Sequence, residues 1–297
     1  MAASTLIVNP HASRVTPELV ASVERELGEV RTLLTERPGH ATELAALAES
    51  ERVYVFSGDG GYNEVVNGLV GDRVLGFLPG GGTSVLPRAL GLPRDPVECA
   101  RALARTDATR RISLGRVNGR RFTFSAGLGL DAELVRAVDR RGRAHGKRSG
   151  DLAFAAELAR LLARRRGRLG PALTVLGRGR AAFALVANCD PYTYAGRAPL
   201  HIAPEARFEL GLDLVAPTAL TPLRLPRAAA SVLLRPTHTR AGWIIHAHDA
   251  DELRVECDEP MPLQVDGEDL GDVTHAHFEA ERGALQVLDA RPSVASD

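Results

Sequence analysis

Short apolar runs alternate with amphipathic stretches through the first third of the chain. Residues 5–8 read as a buried strand, and 17–27 as a helix opened by Thr16 as N-cap with Pro17 at its first position. A strand over 30–35, a helix over 40–49 with apolar residues three and four apart, and a strand over 52–56 continue the series. A helix over 61–70 and a strand over 74–78 follow. Strands alternating with helices of this length imply βαβ units and a mostly parallel sheet. Ligands of such sheets bind at the carboxyl ends of the strands. Two Gly-rich segments fall there, after Phe56 and after Leu78.

The pattern changes after Arg110. Residues 112–117, a turn at Asn118-Gly119 and residues 121–124 read as a β-hairpin. Two helices follow, over 131–139 and 151–166. Beyond Pro171 short strands dominate, at 173–176, 182–187, 212–215, 243–246, 253–257 and 263–265. The expected fold class is therefore α/β with a parallel sheet, followed by an antiparallel β domain whose boundary falls between Gly115 and Ser125. A length of 297 residues fits two domains better than one core. The tail from Ala290 is expected to fray.

Composition adds little to that picture: 44% hydrophobic and 25% charged residues are ordinary for a globular chain. Charge adds more. The formal total is zero, from 37 basic and 37 acidic residues, but the two signs are segregated. Residues 136–168 hold 11 Lys/Arg and 3 Asp/Glu (11 − 3 = +8), whereas 249–281 hold one Arg and 12 Asp/Glu (1 − 12 = −11). Solvated helix and strand faces account for this; so does a basic face that meets anionic lipid head groups. Cys99, Cys189 and Cys257 lie far apart without a CxxC pair, which fits a reducing cytosol. The opening MAASTLIVNP lacks the basic and apolar regions of a signal peptide, and no run approaches the ~20 apolar residues of a membrane span.

The candidate chemistry lies in the glycine segments. In Ser57-Gly58-Asp59-Gly60-Gly61-Tyr62-Asn63-Glu64, glycines between a strand and a helix let backbone N–H groups approach phosphate oxygens, with the helix N-terminus adding favourable charge. Asp59 among them can hold Mg²⁺ on a triphosphate. Taken alone the segment also reads as an ordinary turn. Pro79-Gly80-Gly81-Gly82-Thr83-Ser84 repeats the arrangement one βα unit later, with a hydroxyl pair near the expected N-cap, and Asn9-Pro10-His11-Ala12-Ser13 gives a third polar turn at the same sheet edge. Three such turns together favour a phosphate cleft.

SGDGGYNEVVNG resembles the GGDGT-x-NEV-x-NG signature of the diacylglycerol and sphingosine kinase family. NPHAS, TERPGHA, LPGGGTSVLPRALGLP, FSAGLGLDAELV and PLQVDGEDL resemble further family segments in the same order, spanning Val8 to Leu270. The resemblance implies a phosphofructokinase- and NAD-kinase-like α/β domain over 1–118, to which 284–297 return, and a β-sandwich lipid-substrate domain over 119–283. It implies ATP in a cleft between them, contacting Asn9, Pro10, Ser13, Thr35, Gly58, Asp59, Gly60, Gly61, Asn63, Glu64, Gly81, Gly82 and Thr83, with Mg²⁺ on Asp59. Phosphoryl transfer to an alcohol needs a carboxylate to take the hydroxyl proton. The resemblance favours Glu268 for that role, with Asp59 organising metal and phosphate; Asp59 is the alternative base.

The chain departs from the family pattern at Ser57 and Gly61, usually Gly and Thr, and at Ser84, usually Asn. Leu210 stands where many bacterial relatives use an Asp-Asp-Gly run for a structural Mg²⁺, and cannot ligate a hard cation. The implied function is an ATP-dependent lipid kinase, cytoplasmic and peripheral at the inner face of the membrane, serving phospholipid biosynthesis, with diacylglycerol as default acceptor. No nucleic-acid partner is expected; a homodimer is compatible. NAD-kinase-like phosphorylation of a soluble acceptor, or an inactive lipid- or nucleotide-binding relative, are the alternatives. His246-Ala247-His248 and His275-Ala276-His277, with Cys257, make zinc conceivable, although hydrogen-bonded strand histidines explain them more simply. Cys189 reads as packing. The 151–166 helix reads as core-facing, with an interfacial role as the alternative.

Overall fold

The computed structural model of the chain describes residues 4–145, 151–234 and 237–290. The expected frayed tail lies outside them from residue 291 onward, as do Lys147 and Arg148 of the basic segment. Two compact units are present: one runs to Ile112 and resumes at Gly283, the other is Ser113–Arg282.

The first unit contains β1 (Ser4–Val8), α1 (Pro17–Leu27), β2 (Val30–Leu34), α2 (His40–Leu47), β3 (Arg52–Ser57), α3 (Asp59–Gly68), β4 (Val74–Pro79), α4 (Val85–Ala89) and α5 (Pro96–Ala104). Parallel pairing gives the strand order β2-β1-β3-β4. β1 and β4 are buried along their whole length and β3 along all but its first residue, as parallel strands covered on both faces must be. α1 opens as its sequence indicates: the Thr16 hydroxyl accepts from the Leu19 N–H at 3.3 Å, and Pro17 needs no partner. α3 begins at Asp59, two residues before the expected start. Gly60 and Gly61 are poor helix formers, but burial of Tyr62, Val65 and Val66 on the inner face outweighs them.

The second unit follows β5 (Thr109–Val117), which leaves the first. It comprises β6 (Arg120–Phe122), β7 (Ser125–Leu128), α6 (Leu130–His145), α7 (Asp151–Arg164), β8 (Leu173–Val175), β9 (Gly179–Ala181), β10 (Ala184–Ala187), β11 (Thr193–Ala195), β12 (Ala198–Leu200), β13 (Leu212–Pro217), α8 (Leu225–Leu233), β14 (Ile244–Ala250), β15 (Glu252–Val265) and β16 (Glu268–Leu288). One antiparallel arm runs β14-β13-β10-β7-β15. The other joins β9 and β8 to β15, and β15 through β16 to β5 and β6. β15 passes from one arm to the other: residues 255–257 pair with β8 and 263–265 with β7. The expected strands 253–257 and 263–265 are thus one bent strand, its register with β16 shifting between Glu256 and Met261. Phe122, Leu128, Val186, Leu214, Val255 and Phe278, drawn from both arms, share one core, as in a sandwich of two sheets. The last residues of β16, Gln286 and Val287, pair in parallel with Val74 and Leu75 and add a fifth strand to the first unit's sheet.

Candidate active site

Register brings the first unit's polar turns to one edge. Val8 is level with Leu34 and Phe56, and Phe56 with Leu78, so Asn9, Thr35, Ser57 and Pro79 end their strands side by side. Backbone bonds stitch the turns together: Asn9 N–H to Phe56 O at 3.0 Å, Gly80 N–H to Ser57 O at 2.7 Å, and Arg14 N–H to Gly80 O at 3.0 Å. The Asn9 carboxamide oxygen accepts from the His11 N–H at 2.9 Å, which closes the turn through Pro10.

The two glycine loops touch. A Cβ on Gly81 would lie 2.9 Å from the Gly58 Cα, and one on Gly82 3.8 Å from the Ser13 Oγ. Asp59 reaches across the pair, one carboxylate oxygen accepting the Leu86 N–H at 3.3 Å. Gly58, the N-cap of α3, provides no side-chain cap, which leaves the N–H groups of the first turn at the sheet edge, where the helix dipole favours an anion. Ser84 stands at the N-cap of α4, but not as a capping hydroxyl. Its backbone is left-handed (φ 48°), and its Oγ lies 3.1 Å from both the N and the O of Gly81, bracing the loop. The Ser57 Oγ is buried and has no hydrogen-bond partner among the described residues.

Not every expected nucleotide residue faces this edge equally. Thr35 and Asn63 are buried, the Asn63 Oδ1 accepting from Asn67 at 3.1 Å. Glu64 is engaged at the start of α2. Its two oxygens accept the N–H groups of Gly39 (2.9 Å) and Ala41 (3.2 Å), so it caps α2. Conversely, sequence reading passed over Arg14, Arg88 and Arg94, which with Pro79, Gly82, Thr83 and Ser84 line a small depression beside the second loop. Arg14 is steadied by a bond from its guanidinium to the Arg94 carbonyl at 3.1 Å. Their signal was weak, since arginines are frequent along this chain.

In the second unit, Asp266 and Gly267 both have positive φ (48° and 81°) and form a two-residue hairpin between β15 and β16. The hairpin sorts its carboxylates. Asp266 points inward and accepts four donors: Thr123 N–H (2.7 Å) and Oγ1–H (2.9 Å), Phe124 N–H (3.0 Å) and Ser125 N–H (3.2 Å). Glu268 stays partly exposed, 3.6 Å from the Arg120 guanidinium. Gln264 ties the turn to a second, half-buried carboxylate, accepting from Gly267 N–H at 2.9 Å and donating to Asp131 at 2.6 Å. Tyr192 also donates to Asp131, at 2.8 Å. Burial pushes the Asp131 carboxyl above its usual range, against those two bonds. Asp131 lies in the FSAGLGLDAELV segment but was not singled out from sequence.

The histidine pairs do not assemble a metal centre; among the described residues no three His, Cys, Asp or Glu side chains could hold one. His248 bonds to buried Asp213 (2.9 Å) and His277 to Glu252 (2.6 Å). Cys189 is buried, and its thiol is raised by burial, as a packing residue's is.

The first unit's edge fits a magnesium nucleotide. Close-approach glycines, an uncapped helix start, three arginines and hydroxyls suit phosphate oxygens, and one carboxylate, Asp59, suits a cation whose other ligands are phosphate and water. Residues 3–117 match the family model of the diacylglycerol kinase catalytic domain. The chain is 40% identical over 99 residues to a diacylglycerol kinase of Bacillus subtilis (32% of this chain, 33% of that protein). It is 32% identical over 128 residues to a diacylglycerol kinase of Staphylococcus haemolyticus (39% of this chain, 38% of that protein). The chain therefore spans about a third of the length of these curated relatives. Among solved structures, a diacylglycerol kinase from Bacillus anthracis superposes with a TM-score of 0.68 at 19% identity, covering 99% of this chain and 98% of that one. An ATP-bound NAD kinase from Archaeoglobus fulgidus gives 0.51 at 15%, covering 96% and 92%. These two show the fold. The likeness to the diacylglycerol kinase catalytic domain thus covers residues 3–117.

Proposed function

We propose that this protein is an ATP-dependent lipid kinase that transfers the γ-phosphate to a lipid hydroxyl, diacylglycerol being the acceptor and phosphatidic acid the product. The observation that carries the reading is the pair of touching glycine loops at one sheet edge, bridged by Asp59, within the stretch that matches the family. The first unit holds the nucleotide. Backbone N–H groups of Gly58 to Gly61 and of Gly82 and Thr83 take phosphate oxygens, and Arg14, Arg88 and Arg94 supply positive charge beside them. Asp59 holds Mg²⁺, which when bound neutralises charge developing on the β- and γ-phosphates. The second unit holds the lipid. Glu268 takes the hydroxyl proton as the acceptor oxygen bonds to the γ-phosphorus and the bond to the β–γ bridging oxygen breaks. Asp266 and Gln264 position Glu268 by fixing its hairpin. The protein works at the inner face of the membrane.

Transfer of labelled phosphate from ATP to a panel of lipids in detergent micelles, with NAD alongside, tests this. Labelled phosphatidic acid is the expected product; labelled NADP would move the assignment to the NAD kinases. Glu268→Gln is expected to lower kcat ~100-fold or more while the thermal shift produced by ATP and Mg²⁺ is retained. Asp59→Asn is expected to abolish that shift. Near-normal turnover of Glu268→Gln would remove it from the mechanism.

A further inference from the structure

α8 and the turn before it present a surface of inverted polarity. A helix on a water-soluble protein usually turns its polar face outward. Here the outward positions recur at helical spacing, at Leu223, Pro226, Arg227, Ala230, Leu233 and Leu234, and only one of them is polar. Leu223 is 89% exposed, Leu234 79% and Leu233 50%. The inward side is engaged: Leu225 packs against the cluster of Leu161, Phe183 and Leu220, and the Ser231 hydroxyl bonds to His238 at 2.9 Å. The helix orientation is therefore fixed from below, and the outward leucines are left in water by the fold itself. Such a patch marks an interaction surface.

Charge narrows what it meets. Between Asp213 and Asp249 the sequence has no acidic residue, while Arg224, Arg227 and Arg240 fall inside that span. The arginine-rich turn after α7 adjoins the same helix, since a Cβ on Gly167 would lie 3.2 Å from both Pro222 and Leu225. In that turn Arg165 is paired with Glu133 at 2.7 Å. Arg164, Arg168 and Arg227 form no ion pair with a described residue. A second copy of this chain would set one predominantly cationic surface against another. An anionic bilayer takes both features at once, its acyl boundary receiving the leucines and its phosphates the guanidinium groups, and the combination of two weak signals is what gives useful membrane affinity.

We propose that this surface docks the protein on anionic membranes, with Leu223, Leu233 and Leu234 entering the headgroup–acyl boundary and Arg227, Arg164 and Arg168 lying at lipid phosphates. The inference rests on the lipid-kinase reading only for its purpose, because the acceptor resides in a bilayer. The test is co-sedimentation of the full chain with vesicles of phosphatidylcholine alone or mixed with phosphatidylglycerol. The parent is expected to prefer the mixed vesicles. The double variant Leu223→Ser, Leu234→Ser is expected to lose about 100-fold in partitioning, roughly tenfold per leucine, with its melting temperature unchanged. Arg227→Ala is expected to weaken binding to the mixed vesicles alone, and less at high salt. A double variant that sediments like the parent overturns the proposal, and so does a parent dimer in solution that the double variant dissolves. Kinase activity on a short-chain diacylglycerol dissolved as monomers separates the two readings. Activity retained by the double variant while vesicle binding is lost supports both. Vesicle binding by a parent that phosphorylates no lipid leaves the docking surface standing and removes the kinase.

Discussion

Where the first glycine loop turns into α3, the Ser57 hydroxyl lies over Gly61: a Cβ built on Gly61 would be 2.1 Å from that oxygen and 2.8 Å from the Ser57 Cβ. The two positions cannot both carry side chains. The family resemblance has Gly first and Thr fifth where this chain has Ser first and Gly fifth, and each arrangement leaves one side chain at these two positions. Gly61→Ala is accordingly expected to destabilise by about 1–3 kcal/mol through overpacking, and Ser57→Gly in the same chain to relieve it. Thermal melts of the two single variants and the double variant check this; an undisturbed Gly61→Ala would show that the loop yields. Ser84 is explained in the same way. Its left-handed backbone is a conformation that Asn tolerates better than most residues. Neither point is visible in a one-dimensional motif, because a motif states which residues occur and not which of them compete for space.

At the scale of elements, Glu64 shows how a residue inside a signature can serve the scaffold. Its carboxylate satisfies two N–H groups at the start of α2, whose own N-cap, Gly39, has no side chain to do so. Glu64→Ala is expected to cost about 1 kcal/mol, seen as earlier hydrogen exchange in α2, with Glu64→Gln recovering part of it. The parallel half of the fold was legible because β1, β3 and β4 are continuous apolar runs punctuated by Gly, Pro and Asn. β16 was not, because most of its residues are at least part-exposed and polar ones are interleaved throughout, over a length at which periodicity blurs. α8 escaped because it is short, nine residues, with Pro226 inside its first turn. The catalytic candidates Asp59 and Glu268 were legible as motif positions. The arginines at the second loop, and Asp131 behind the hairpin, became apparent only when tertiary pairing brought distant segments together.

Taken whole, the chain builds its first unit from both of its ends. The strand that completes the β2-β1-β3-β4 sheet comes from Gln286 and Val287, and it brings the buried side chains Leu285, Val287 and Leu288 with it. At about 1.5–3 kcal/mol for each such side chain, the return is worth about as much as the net stability of an ordinary domain. Truncation after Arg282 is therefore expected to unfold the first unit. Amide exchange should show β1, β3 and β4 losing protection while β10 and β13 keep theirs; retained protection in β4 would mean that the four-stranded sheet is sufficient. On the ribosome this connectivity imposes a waiting time. After Ile112 has been made, 282 − 112 = 170 residues must follow before the closing strand exists, roughly 10–30 s at ordinary rates of synthesis. Throughout that interval the nascent chain carries an unpaired β4 edge, open to any other strand it meets. Each newly made copy thus leaves this edge of its first unit open for longer than any edge synthesised later.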